Sequence, residues 1–175
     1  MQPARDMIFS DMKFRDFGVD NCYLIEESRL YQTSLRHLGF KTVELVIYRS
    51  TSDTGGGKLV FVEAKTTLRP ENAAFRFADE INDISQKFID ALQIICGVWH
   101  GGRKGKVHLP KNFDQFRENG RQIVFILVVK SGDERDLLTV KDAISKKLLK
   151  EKRLWRFDVE VLSEELAQKG NLVLA

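Results

Sequence analysis

Apolar and polar positions recur with two different periods along this chain, and each change of period marks an element. Leu24, Tyr31, Leu35 and Leu38 follow helical spacing, which predicts a helix over 21–38 with Asp20 as its N-cap and Gly39 as its stop. Residues 41–48 are β-branched and apolar and predict a strand. The stretch 49–58 carries Ser, Thr, Asp and three consecutive glycines and predicts a flexible loop. A second apolar strand is expected over 59–64, so the two strands form a hairpin. A long helix follows Pro70, with Ala78, Ile81, Phe88, Leu92 and Ile95 on one face, Ser85 in register and Gly97 as its end. Residues 100–106 form a basic, glycine-rich loop. Seven apolar residues in a row, 123–129, suit a strand buried on both faces. An amphipathic lysine-rich helix over 139–153, an alternating strand over 157–162 and a short helix over 163–169 complete the chain. The order is that of an α/β sandwich with a mixed sheet flanked by helices.

Composition narrows the class without naming a chemistry. The 175 residues suit one domain, with a core over about 21–165 and no internal repeat or linker. A hydrophobic fraction of 43% and a charged fraction of 30% describe a globular protein with a real core. The net charge of +3 permits a polyanionic partner without requiring one. Cys22 and Cys96 lack metal-ligand spacing and read as buried, reduced thiols. The first residues lack the apolar core of a signal peptide, and no apolar run is long enough to span a bilayer, so a cytoplasmic protein with no membrane partner is expected.

One constellation changes that picture. In a strand, residues i and i+2 share a face, so Glu63 and Lys65 point one way and Ala64 the other. Glu44 is the only acid within the preceding apolar strand. If the 49–58 loop closes symmetrically, Tyr48 pairs with Leu59 and Val46 with Phe61, and Glu44 lands opposite Glu63. Two facing acids repel unless a cation sits between them, and a metal ion or Lys65 fits that role. Mg²⁺ takes carboxylates and a carbonyl while keeping several waters, polarises a phosphoryl oxygen and lowers the pKa of a water it holds. An adjacent lysine orients or helps deprotonate that water and offsets transition-state charge. With 25 acidic residues the bare acid-x-Lys pattern recurs by chance, and it does so at Asp11, Met12 and Lys13, without an apolar strand before it.

The runs VELVIYRS and KLVFVEAKTT resemble the core hairpin of the PD-(D/E)xK nuclease superfamily, the restriction-endonuclease-like fold, as in its Holliday-junction-resolvase-like branch. The resemblance covers 42–67 closely and implies an αβββαβ-like core across most of the chain. It implies Mg²⁺- or Mn²⁺-dependent hydrolysis of nucleic acid, with DNA the expected substrate. On that resemblance Glu44 stands where the motif has Asp, Glu63 is the second metal ligand, Ala64 offers its backbone carbonyl, and Lys65 is the catalytic lysine. Members often add an acid from the first helix, and Glu27 is the choice here, since Glu26 is expected to point away. The motif's proline is missing, because Thr42 and Val43 precede Glu44.

Arg103, Lys104 and Lys106 in the glycine-rich loop are candidates for phosphate contacts, since basic side chains supply sequence-independent affinity. A solvated loop explains them equally well. Trp99 and Trp155 suit base stacking or plain packing. Cutting two strands without a recognition domain calls for a homodimer or a partner subunit. The alternative to a nuclease is an inactive nuclease-like fold that binds nucleic acid or serves assembly, in a defence or mobile-element system.

Overall fold

The structure, a computed structural model, describes residues 7–50, 57–68, 74–101, 108–119 and 122–175. Most of the 49–58 loop, and Arg103, Lys104 and Lys106, lie outside the described residues. Among the described residues a five-stranded mixed sheet runs in chain order: β3 (Cys22–Tyr23), β4 (Leu45–Ser50), β5 (Gly57–Thr67), β6 (Gln122–Ser131) and β7 (Phe157–Ser163). β4 is antiparallel to both its neighbours, whereas β5, β6 and β7 run parallel. Parallel neighbours need a crossover, and helices supply it. Helix α1 (Ala74–Trp99), followed by the short α2 (Phe113–Asn119), links β5 to β6. Helices α3 (Glu134–Lys147) and α4 (Leu149–Trp155) link β6 to β7. No helix among the described residues is long and apolar enough to cross a membrane.

The sheet has a core on each face because its central strands are apolar in both directions. On one side Val46, Leu59, Phe61, Phe125, Leu127 and Phe157 pack against α1 and α3. On the other, Leu45, Ile47, Val60, Val62, Val124 and Ile126 are covered by two further pieces of chain. One is the hairpin of β1 (Met7–Phe9) and β2 (Met12–Phe14). The other is α5 (Glu164–Lys169) with the tail after it, whose Val173 bridges to Phe14. The β1–β2 turn places Ser10 and Asp11 at φ 48° and 59°, the left-handed pair that matches the twist of a tight hairpin. The chance motif at Asp11, Met12 and Lys13 is therefore a hairpin, with Met12 fully buried as a core residue.

An aromatic cluster sets how α1 lies on the sheet. Phe125 of β6 stacks on Phe88 of α1, with centroids 4.7 Å apart and planes 3° apart. Phe61 meets Phe125 edge-on at 5.4 Å, and Phe157 lies 4.2 Å from it. Ring pairs of this kind add about 0.5–1.5 kcal/mol each to their buried area. They fix the rotation of α1 about its own axis, and that rotation aims the residues beside Phe88.

Four sequence expectations need correction. The helix expected over 21–38 is divided: Cys22 and Tyr23 pair with Ile47 and Val46 at the sheet edge. A 3-10 turn, Ile25–Glu27, follows, and helical structure starts only beyond Ser28, whose Oγ accepts the Tyr31 N–H at 3.2 Å. Ser28 is thus the cap in place of Asp20, and the segment ends as π turn Tyr31–Leu35 and 3-10 turn Arg36–Leu38. Gly39, at φ 80°, is the stop, as expected. The strand expected from 41 starts at Leu45, because the Lys41 N–H turns away to Asp90 Oδ2 on α1, at 2.9 Å. α1 runs through Gly97 to Trp99, and its exposed Ala78 lies off the core, which Ile81 opens. The helix expected over 139–153 breaks at Leu148 into α3 and α4.

Candidate functional site

The site grows out of the hairpin register. Tyr48 pairs with Leu59 and Val46 with Phe61, as the loop length predicted, and the last pair is Leu45 with Val62. Glu44 is the next residue outward from that pair, and its charge acts on Glu63. β4 has already ended there, so Glu44 sits at a bend, half-buried, at the mouth of the hairpin. Leu59, Phe61 and Glu63 alternate onto the α1 face of β5, and Glu63 is fully buried beneath that helix.

A buried carboxylate needs partners, since an uncompensated one costs several kcal/mol. The first partner was not foreseen. Lys87 of α1 donates from Nζ to Glu63 Oε1 at 2.6 Å. Lys65, the motif lysine, lies 3.8 Å from the same oxygen, an ion pair too long for a hydrogen bond. Glu63 Oε2 is buried and has no hydrogen-bond partner. Both lysine side chains remain partly open to solvent, at 22% for Lys87 and 27% for Lys65. Lys87 sits beside Phe88, on the flank of the apolar stripe of α1, where a long side chain can reach under the helix. That border position was visible in the sequence, but the rotation of α1 that aims it at Glu63 was not.

The charges around the pair are mutually coupled. Burial raises the Glu63 pKa from 4.5 to about 7; Lys87 and Lys65 pull it down, and Glu44 pushes it up. Burial also raises Glu44, opposed by Lys87 and reinforced by Glu26. Burial works against the Lys87 ammonium, but the charge and hydrogen bond of Glu63 outweigh it and raise its pKa. Asp83, one turn before Lys87, is raised by burial but held down overall by its 2.6 Å contact with Lys41 Nζ and by the nearby lysines. The electrostatics thus link Glu44, Glu63, Lys65 and Lys87, with Glu26 and Asp83 at the margin. Glu27, the acid chosen from the sequence, and Glu26 beside it are both exposed, and the charge of Glu26 acts on Glu44.

The Ala64 side chain packs into the opposite core, as its alternation required. Its backbone carbonyl accepts the Ser10 hydroxyl at 2.9 Å. The β1–β2 turn is pinned there a second time by Lys130, whose Nζ donates to the Asp11 carbonyl at 3.0 Å. Among the described residues no group of three or more His, Cys, Asp or Glu gathers to hold a metal ion. The candidate donors are the Glu44 and Glu63 carboxylates and the Ala64 carbonyl, the last already bound by Ser10. A hard cation that keeps most of its waters needs no more than that. The orphaned Glu63 Oε2 is a free acceptor with the right chemistry for such an ion.

The remaining sequence candidates lie elsewhere. Trp99 packs on Phe116 with rings 5.7 Å apart and nearly parallel, so it is part of the core edge. Trp155 is exposed on α4 among Lys150, Arg153 and Arg156. α4 leads into the start of β7, at the far end of the parallel strands from Lys65. Cys22 and Cys96 are not joined by a disulfide, and both are only partly buried where full burial was expected.

The class these features define is a mixed α/β domain with a buried carboxylate–lysine cluster at a hairpin mouth. No protein-family model, curated protein or solved structure matches the chain.

Proposed function

We propose that this protein is a metal-dependent phosphodiesterase of the PD-(D/E)xK type, a nuclease acting on DNA. The observation that carries the reading is Glu63: a fully buried carboxylate, one oxygen on Lys87 and the other without a partner, acted on by the charge of Glu44 and ion-paired with Lys65. The hairpin, the α1 crossover and the parallel strand after it support the restriction-endonuclease-like fold. One difference from αβββαβ is that the helical segment ending at Leu38 falls between β3 and β4, not ahead of all three strands.

Glu44 and Glu63 would hold Mg²⁺ or Mn²⁺, with the Ala64 carbonyl as a further donor if Ser10 yields it. Such an ion polarises the phosphoryl oxygen and makes a neighbouring water more acidic. The residues do the rest. Glu44 and Glu63 fix where the phosphate can approach, from the open end of the hairpin. Lys65, held only loosely by Glu63, is free to turn its ammonium towards the attacking water or the scissile phosphate. Burial under α1 keeps the field of these charges from being screened by bulk water. The test is cleavage of circular, linear, branched and single-stranded DNA with Mg²⁺ or Mn²⁺. Lys65→Ala and Glu63→Gln are expected to abolish it, and cleavage that survives both refutes the reading.

A second reading rests on two contacts. Lys87 already occupies Glu63 Oε1, and Ser10 already occupies the Ala64 carbonyl. A cluster with one carboxylate oxygen and the carbonyl already taken within the protein suits a nuclease-like fold kept for nucleic-acid binding or assembly without catalysis. It predicts salt-sensitive binding, no turnover, and a melting temperature indifferent to Mg²⁺.

A further inference from the structure

We propose that Lys87 is a positioning residue for Glu63: it holds the carboxylate through Oε1 so that Oε2 stays presented to a divalent cation. The inference rests on the nuclease reading above and adds to it a residue that lies 24 positions from Glu63, outside the hairpin motif.

The geometry divides the work between two lysines. Lys87 makes the short contact, 2.6 Å, and Lys65 the long one, 3.8 Å, to the same oxygen. A short charge-assisted hydrogen bond fixes direction as well as charge. Glu63 Oε1 is therefore committed, and the carboxylate plane is set by a donor coming from α1. Oε2 is left buried with no partner, an arrangement that costs free energy unless something else completes it. The helix that delivers Lys87 is itself fixed in rotation by the Phe88–Phe125 stack, so the donor is held by the core and not by a loop. The charges of Glu44 and Asp83 also favour the Lys87 ammonium. Groups that hold a metal ligand from behind commonly change metal affinity by about 10–100-fold when removed.

Simple electrostatics makes the opposite prediction, and that gives the test its sign. Removing a positive charge beside a cation site tightens cation binding if Coulomb attraction alone matters. Removing a residue that orients the ligand weakens it. The experiment is calorimetric titration of Mg²⁺ and Mn²⁺ into the full chain and into Lys87→Met, Lys87→Arg and Lys65→Met, each checked for folding by circular dichroism. Lys87→Met is expected to weaken binding about tenfold or more. Lys87→Arg, which retains a charged donor, is expected to stay within about threefold, and Lys65→Met to bind as tightly as the unaltered protein or tighter. Lys87→Gln takes the place of Lys87→Met should that variant not fold. In cleavage assays the Lys87→Met defect recovers at high Mg²⁺, while that of Lys65→Ala does not. Unchanged or tighter binding in Lys87→Met overturns the inference and leaves the nuclease reading standing. Metal binding that depends on Lys87 without any cleavage upholds the inference and removes the nuclease reading. An unaltered protein that binds neither ion removes both.

Discussion

Lys87 Nζ and Glu63 Oε1 meet at 2.6 Å, joining the middle of α1 to the upper part of β5 beneath a helix that leaves Glu63 no solvent exposure. The contact explains how a carboxylate survives in the core, and it ties the candidate chemistry to the packing of the helix.

Glu63→Gln separates stability from function. The amide keeps the shape and removes a buried charge, so the variant is expected to melt at or above the unaltered protein without metal at pH 8. Lys87, partly exposed, can turn to solvent or to Asp83 and Glu44. Cleavage is expected to fall by at least about 100-fold, the usual scale for losing a key electrostatic group. Calorimetric melting and a plasmid-nicking assay read the two effects.

The pH dependence of stability follows from the same residue. The folded pKa of Glu63, about 7, lies above its ordinary 4.5. The folded state therefore binds that proton more firmly, and the stabilisation is complete below about pH 4.5 and lost as pH rises through about 7. Glu44, also raised by burial, adds with the same sign. The raised Lys87 pKa keeps its contribution constant until well above this window. Metal-free protein is expected to melt on the order of 5 °C lower at pH 8 than at pH 5.5. Mg²⁺ restores stability at the high-pH end, and Glu63→Gln flattens the profile. A melting temperature that rises steadily over this range contradicts the assignment.

Lys65→Ala isolates the motif lysine. Its 3.8 Å ion pair is partly exposed, so melting should move little, within about 0.5 kcal/mol. Cleavage at saturating Mg²⁺ is expected to drop about 10²–10⁴-fold, as for a lost acid–base group.

Ser10→Ala tests the Ala64 carbonyl. Losing the 2.9 Å hydrogen bond is expected to cost about 1 kcal/mol of stability. If the carbonyl serves a metal ion, its release from Ser10 leaves Mg²⁺ affinity equal or higher. A fall in affinity assigns the hydroxyl to holding that carbonyl in place.

Much of this protein was written in local pattern. Strand alternation put Glu63 and Lys65 on one face, and turn-rich composition between two apolar runs placed Tyr48 against Leu59, because side-chain period and loop length act over a few residues. The seven apolar residues 123–129 marked the central strand β6 for the same reason. Helical spacing alone misjudged 21–38, where Cys22 and Tyr23 gain more from pairing at the sheet edge than from a helix turn. Nor could spacing show that Lys87, and not only Lys65, reaches Glu63. That contact depends on the crossover that lays α1 over β5 and on the Phe88–Phe125 stack that fixes its rotation. Sequence by itself determined which residues share a strand face; tertiary packing decided which charges from distant elements are brought together out of water, because only burial makes a lone carboxylate costly enough to demand them.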